Sequence, residues 1–310
     1  MRGIAAPSTL WGPAMLVDET RLHIAVQKSG RLSDSSKALL RDAGLRIANG
    51  KNELTARVEN FPADLMFVRD DDIPTFVSDG VCEYGIVGEN VLREFALGEA
   101  EDRFEILAPL GFGRCPLKLA APEAAAWNGP ASLEGARIAT SYPRIVQRFL
   151  DDNAITATVV KMNGAVELAP RLQIAPFICD LVSTGATLEA NGLRALDTVF
   201  ESEAVMIRTR RPIAPAKLEQ GEMLLSRIEG VLATKEAKYI MLNAPGEALR
   251  EITAILPGAE APTILPLHGR AGHFAVHAVC QESVFWETLQ KLKAAGASAI
   301  LVLPIEKMML

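Results

Sequence analysis

The stretch FICDLVSTGATLEANGL (177–193) decides how this chain folds. Its first part, FICDLV (177–182), is an apolar run interrupted only by Asp180 and reads as a buried strand. Small residues follow from Ser183 to Thr187, and a helix is expected from about Ala186. Strand, tight turn and helix in that order belong to an α/β sheet. The pattern recurs upstream. LHIAV (22–26) reads as a strand leading through QKSGRLSDSS into a helix over Leu39, Leu40 and Leu45. DLMFV (64–68) precedes RDDDIPTFVSDG, a short capped helix ending at Gly80, and YGIVGENVL (84–92) reads as strand, turn and helix start. A parallel sheet with helices on its faces is the expected architecture.

A second unit starts near Cys115. LKLAA (117–121), ARIAT (136–140) and TATVV (156–160) read as strands, SYPRIVQRFLDDN (141–153) and NGAVELAPRL (163–172) as helices. VFESEAVMIRT (199–209) is expected to return as a strand to the first unit. RRPIAPAKLEQG (210–221) has the Pro and charge content of a linker. Beyond a helix, the remainder reads as βαββαβ, the ferredoxin-like split unit. The expected segments are a disordered leader over 1–20, with Met15 as an alternative start, lobe I over 21–112 and 199–220, lobe II over 113–198, and a third domain over 221–310.

The 310 residues carry 32 Lys and Arg against 38 Asp and Glu, a net charge of −6, and no basic block. A nucleic-acid or anionic-membrane binder is therefore not expected. Cys82, Cys115, Cys179 and Cys280 lie far apart with no Cys-x-x-Cys pair, which points to free thiols in a reducing, cytoplasmic setting. No apolar run is long enough to span a membrane. The first residues make a poor signal peptide.

Chemistry concentrates in a few turns. Between Asp180 and Thr187, small residues let backbone N–H groups converge, Gly185 allows unusual backbone angles, and hydroxyls add donors. This suits a phosphate cradle and is neither a Walker A loop nor a dinucleotide fingerprint. Local physics fits an ordinary strand-to-helix turn capped by Thr equally well. Asp180 and Glu167 are placed to accept hydrogen bonds from vicinal ribose hydroxyls, although Glu167 also suits a solvated helix face. Lys28 and Arg31 flank a Gly turn where they can bind an anion or simply line a surface loop. Asp70, Asp71 and Asp72 are explained by helix capping and dipole, with magnesium ligation as the alternative. Gly88-Glu89-Asn90 lies at a strand-to-helix corner, where open α/β sheets place ligands. The four His residues have no metal-site company, and no hydrolase motif occurs.

Lys28-Ser29-Gly30-Arg31, RDDDIP (69–74), GIVGENVL (85–92), ATSYP (139–143), DLVSTGATLEANGL (180–193), KYIML (238–242), PTILPL (262–267) and LVLPIEKM (301–308) together resemble the ATP phosphoribosyltransferase family. The resemblance covers nearly everything after Thr20 and matches the long form. It implies two periplasmic-binding-protein-like α/β lobes with a C-terminal ferredoxin-like regulatory domain. The implied reaction opens histidine biosynthesis: adenine N1 of ATP attacks the anomeric carbon of phosphoribosyl pyrophosphate, and pyrophosphate leaves with Mg2+. By the same resemblance, Ser183, Thr184, Gly185, Ala186 and Thr187 hold the ribose 5′-phosphate, and Glu167 and Asp180 face the ribose. Lys28 and Arg31 face the polyphosphates, and Arg31, Arg69, Asp70 and Glu89 lie on the ATP side. Asn243 and Thr263 fall where the inhibitor L-histidine would bind, with Asn243 replacing an acidic residue of some relatives. Dimers assembling to hexamers are also implied, and the metal ligands stay unassigned. A non-catalytic binding protein on the same two-lobed scaffold is the competing reading, and it has no need of a ribose-phosphate cradle.

Overall fold

The computed structural model describes residues 20–48, 54–99, 103–235, 237–256 and 261–308, so the leader expected over 1–20 lies, apart from Thr20, outside the described residues. The chain divides into two compact units, Met1–Ser36 with Leu45–Gly221 and Lys37–Gly44 with Glu222–Leu310. The first unit holds both lobes apart from the Lys37–Asp42 part of the first helix of lobe I, which falls in the second.

Lobe I is built from β1 (Leu22–Gln27), α1 (Ser33–Asp42), β2 (Thr55–Arg57), β3 (Ala63–Val68), α2 (Ile73–Ser78), β4 (Tyr84–Gly88), α3 (Glu89–Glu99) and β5 (Phe104–Pro109). In β1, Leu22, Ile24, Ala25 and Val26 are all fully buried, so residues on both faces are covered and the run is continuously apolar. Gly85 is needed in β4 because a Cβ there would lie 2.9 Å from methyl groups of Ile73 and Val77, the residues by which α2 packs on the strand. The helix expected to reach Leu45 stops at Asp42, where Gly44 adopts φ of 88° and Leu45 turns back into the core.

Lobe II comprises β6 (Leu117–Pro122), β7 (Arg137–Thr140), α4 (Pro143–Asp152), β8 (Thr158–Lys161), β9 (Phe177–Leu181), α5 (Ala186–Ala190) and β10 (Leu193–Phe200). Ile145, Val146 and Leu150 of α4 pack with Leu119, Ile138 and Cys179 of the sheet. The helix expected over 163–172 shrinks to a single 3-10 turn at Val166–Leu168. Ala165 is left-handed at φ 51°, and Pro170 has no N–H to continue the ladder.

The chain then passes residues 201–203 and enters lobe I again as β11 (Ala204–Thr209), between β4 and β5. The strand orders are β2-β3-β1-β4-β11-β5 and β10-β6-β9-β7-β8. Three strands in each lobe are parallel (β3, β1, β4 and β8, β7, β9), while β2, β11, β6 and β10 pair antiparallel to their neighbours. The parallel pairing expected from the alternation holds for these three strands of each lobe, and the antiparallel neighbours make each sheet mixed. The returning strand crosses from the other lobe rather than over a helix, so it enters in the opposite direction.

The segment read as a linker over 210–221 is half helical, because α6 (Pro215–Thr234) starts at Pro215, a residue pre-set for a helix start. The second unit adds β12 (Ala237–Pro245), α7 (Leu249–Ile255), β13 (Thr263–Pro266), β14 (His273–Gln281), α8 (Glu282–Ala294) and β15 (Ser298–Pro304). Its antiparallel sheet runs β13-β14-β12-β15, the ferredoxin-like order, over a core that includes Ile240, Leu242, Ile252, Val276 and Leu292. Two α/β lobes with a C-terminal βαββαβ domain are therefore the fold. All four cysteines are free and buried, and burial pushes the Cys82 thiol up to about 12. Among the described residues, no helix is long and apolar enough to cross a membrane.

Candidate active site

Every candidate residue of the first unit lies near or beyond the carboxyl end of a parallel strand, where side chains of successive βα corners converge. Lys28 and Arg31 follow β1, Arg69 and Asp70 follow β3, and Glu89 follows β4. In lobe II, Asp180 sits near the end of β9 and Ser183 to Thr187 follow it, with Glu167 on the turn between β8 and β9. Between the lobes is a cavity of about 870 Å3 lined by Arg69 and Asp71 from one side and Tyr142, Arg144, Lys161 and Asn163 from the other. Glu94 and Phe95 of α3 complete the lobe I wall. Of the residues expected from sequence, Arg69 lines this cavity with Asp71, the alternative magnesium ligand, beside it, whereas Lys28, Arg31, Glu167, Asp180 and Ser183–Thr187 are not in its wall.

The turn after β9 is open. Ser183, Thr184, Ala186 and Thr187 are exposed, and Gly185 is left-handed at φ 81°. Among the described residues, the N–H groups of Ser183, Thr184, Gly185 and Thr187 meet no acceptor, and Ala186 N–H reaches Thr184 Oγ1 only at 3.4 Å. Gly185 at the N-cap has no side chain to cap α5, and the Thr184 hydroxyl, through its long bond from Ala186 N–H, is the Thr contact made to the first turn. With five residues, α5 supplies little macrodipole, and the donors of the turn itself carry the anion-binding capacity.

Charge couplings tie the corners together. Burial raises the Asp180 carboxyl, its bond from Leu181 N–H at 2.8 Å opposes this, and the negative charge of Glu167 raises it further. Burial also pushes Asp70 up to about 6, assisted by Asp71 and opposed by Arg31. Asp70 Oδ1 is buried without a partner. The capping role expected of the Asp run does not form, since neither Arg69 nor Asp72 makes a side-chain cap bond. Tyr142 senses both lobes. Its hydroxyl is driven upward first by burial and then by Asp180, Asp70 and Asp71, against the bond from Asn90. Glu89 is engaged by Arg93 at 3.5 Å, one helical turn on.

Tyr142, Arg144, Lys161 and Glu94 were not singled out by sequence reasoning. Tyr142 lies within ATSYP, and Lys161 ends β8, so the strand-end rule was the available signal for both. Asn243 and Thr263 belong to the second compact unit. Asn243 pairs with Ala275 and Thr263 with His277, so both occupy the same face of its sheet. Among the described residues no group of three or more His, Cys, Asp or Glu could hold a metal ion.

The family model described as ATP phosphoribosyltransferase matches residues 69–230, and that described as HisG, C-terminal domain, matches 234–307. Among solved structures, the ATP phosphoribosyl transferase (HisG:HisZ) complex from Thermotoga maritima is similar at 25% identity and a TM-score of 0.55, covering 67% of this chain and 98% of that one. The alkanesulfonate-binding protein SsuA from Xanthomonas axonopodis pv. citri is similar at 15% identity and a TM-score of 0.44, covering 69% of this chain and 74% of that one.

Proposed function

The chain belongs to the ATP phosphoribosyltransferase family, in the long form that carries both family segments on one polypeptide, and from that premise we propose that it joins ATP to phosphoribosyl pyrophosphate. The product is N1-(5-phosphoribosyl)-ATP, with pyrophosphate released, as the first step of L-histidine biosynthesis. One observation carries the assignment of the site: an exposed turn at Ser183–Thr187, whose N–H groups other than that of Ala186 meet no acceptor among the described residues, follows Asp180, a carboxylate coupled by charge to Glu167 and to Tyr142 in the wall of the interlobe cavity.

In this reading the turn holds the 5′-phosphate, and Asp180 and Glu167 accept from the ribose hydroxyls. The raised Asp180 is relieved when those hydroxyls donate to it. Lys28 and Arg31 face the polyphosphates, and Arg31, Arg69, Asp70 and Glu89 receive ATP. No covalent nucleophile is required, since displacement at the anomeric carbon needs alignment and stabilisation of the departing pyrophosphate. Mg2+ enters on the pyrophosphate. The unpaired Asp70 Oδ1 and neighbouring Asp71 are carboxylates suited to meet it, consistent with an ion that keeps substrate oxygens and few protein ligands.

The proposed division of labour assigns 21–112 with 199–220 to lobe I, corrected at Val199 and Phe200, which close β10 of lobe II, and gives 113–198 to the phosphoribosyl pyrophosphate lobe and 221–310 to regulation. Feedback by L-histidine acts at the face bearing Asn243 and Thr263, and the chain works in the cytoplasm as a homo-oligomer, dimer to hexamer. A mixture of ATP, phosphoribosyl pyrophosphate and Mg2+ should show the ultraviolet change of adenine alkylation. No product from folded protein, with calorimetric binding of histidine alone, would transfer the assignment to a non-catalytic sensor.

A further inference from the structure

Helix α3 carries Asn90, Glu94 and Gly98 at four-residue spacing and therefore on one face. All three meet a single short segment of lobe II. Asn90 Nδ2 donates to the Tyr142 hydroxyl at 2.9 Å. Asn90 is itself fixed by Ser202 in the interlobe crossing, whose hydroxyl donates to Asn90 Oδ1 at 2.8 Å and accepts Asn90 N–H at 3.0 Å. The Glu94 carboxylate accepts the backbone N–H groups of Arg144 and Ile145, each at 3.0 Å. Arg144 Nη1 returns a bond to the Glu94 carbonyl at 3.2 Å. Gly98 leaves room for the Arg144 guanidinium, which a Cβ would strike.

Helix α4 explains why the contact is specific. Its N-cap residue, Tyr142, makes no side-chain cap bond, so the first N–H groups of the helix have no local acceptor. A carboxylate from the other lobe fills that role, adding charge to the bond and complementing the helix dipole. Burial raises the Glu94 carboxyl despite these bonds, so holding it there is costly for the apo fold. Glycine at 98 likewise lowers helix propensity. Neither residue serves α3 itself; both serve the contact.

We propose that Asn90, Glu94 and Gly98 form an interlobe clasp, with Glu94 the positioning residue that holds the Tyr142–Arg144 segment in the cavity wall at a set lobe angle. The link to catalysis rests on reading that cavity as the reaction site.

The test pairs geometry with kinetics. Spin labels on Glu59→Cys in lobe I and Arg171→Cys in lobe II, both exposed and introduced beside buried native thiols, report the interlobe distance. Glu94→Ala should broaden that distance and lower kcat about tenfold or more, since small misplacements of a positioned substrate are expensive. The KM for phosphoribosyl pyrophosphate should move less than about threefold, because its cradle is untouched. Glu94→Gln keeps an acceptor oxygen and should recover much of both. If Glu94→Ala does not fold, Gly98→Ala, which displaces Arg144, should give the same broadening. A folded variant with an unchanged distance overturns the clasp, as does one whose distance broadens while kcat stays at the wild-type value. If the wild-type chain makes no product, the proposed function fails, and the distance measurement alone then judges the clasp.

Discussion

Lys217 Nζ lies 2.6 Å from Glu83 Oε1, with the two side chains only 9% and 11% exposed. Glu83 Oε2 also accepts His23 N–H at 2.8 Å, so the carboxylate just before β4 is met from β1 and α6 together. Truncating one member leaves a buried charge uncompensated. Lys217→Ala should therefore cost about 3–5 kcal/mol, read as a lower thermal midpoint. Pairing Lys217→Met with Glu83→Gln should cost less than Lys217→Ala alone. Equal losses would mean the pair is effectively solvated.

Thr187→Ala removes a hydroxyl proposed to donate to the 5′-phosphate. Calorimetry should show phosphoribosyl pyrophosphate binding weakened by about 1.5–3 kcal/mol, the worth of one hydrogen bond to a charged group. Histidine inhibition should survive, because Asn243 and Thr263 lie in the other compact unit. Parallel loss of both functions would mean the sites are wrongly divided between domains.

Gly185 is left-handed at φ 81°, and a Cβ there would meet nothing within 4 Å. Space is free but the conformation is not. Gly185→Ala should strain the turn by about 1–2 kcal/mol and weaken substrate binding accordingly. Gly185→Asn should be milder, since Asn tolerates that region. If the Ala variant binds as wild type, the turn's donor geometry is not what holds the phosphate.

Asp70 has its carboxyl raised from 3.8 to about 6 by burial, Asp71 adding and Arg31 opposing. Between those values the folded chain holds a proton that the unfolded chain has lost, so this group's contribution to stability falls as pH rises. Below 3.8 the contribution is fully present, and above about 6 it is gone. Thermal midpoints of ligand-free wild type and Asp70→Asn should therefore diverge across that window, with wild type losing ground toward neutral pH. Parallel curves would remove the burial argument for Asp70.

Much of the fold was legible because buried strands advertise themselves. LHIAV and FICDLV are apolar through and through, and both became central strands. β10 carries exposed Arg194 and Ala195 and irregular register with β6, so its pattern has no clean alternation to read. The helix expected over 163–172 failed because Ala165 and Pro170 outweigh the apolar spacing between them. At the site, the small-residue turn and the basic corner were visible as residue types. Tyr142 and Glu94 were not, since an ordinary tyrosine and an ordinary helix-face glutamate acquire meaning only from what faces them.

What the sequence determined by itself was local: which runs bury, where helices begin and end, and which corners hold small or charged residues. These follow from interactions a few residues apart. Tertiary structure alone decided that β11 returns antiparallel into lobe I, that Glu94 caps a helix fifty residues further on, and that Asp70 and Asp180 act on one tyrosine from opposite lobes. Those are matters of desolvation and charge proximity between distant segments, and no spacing along the chain encodes them.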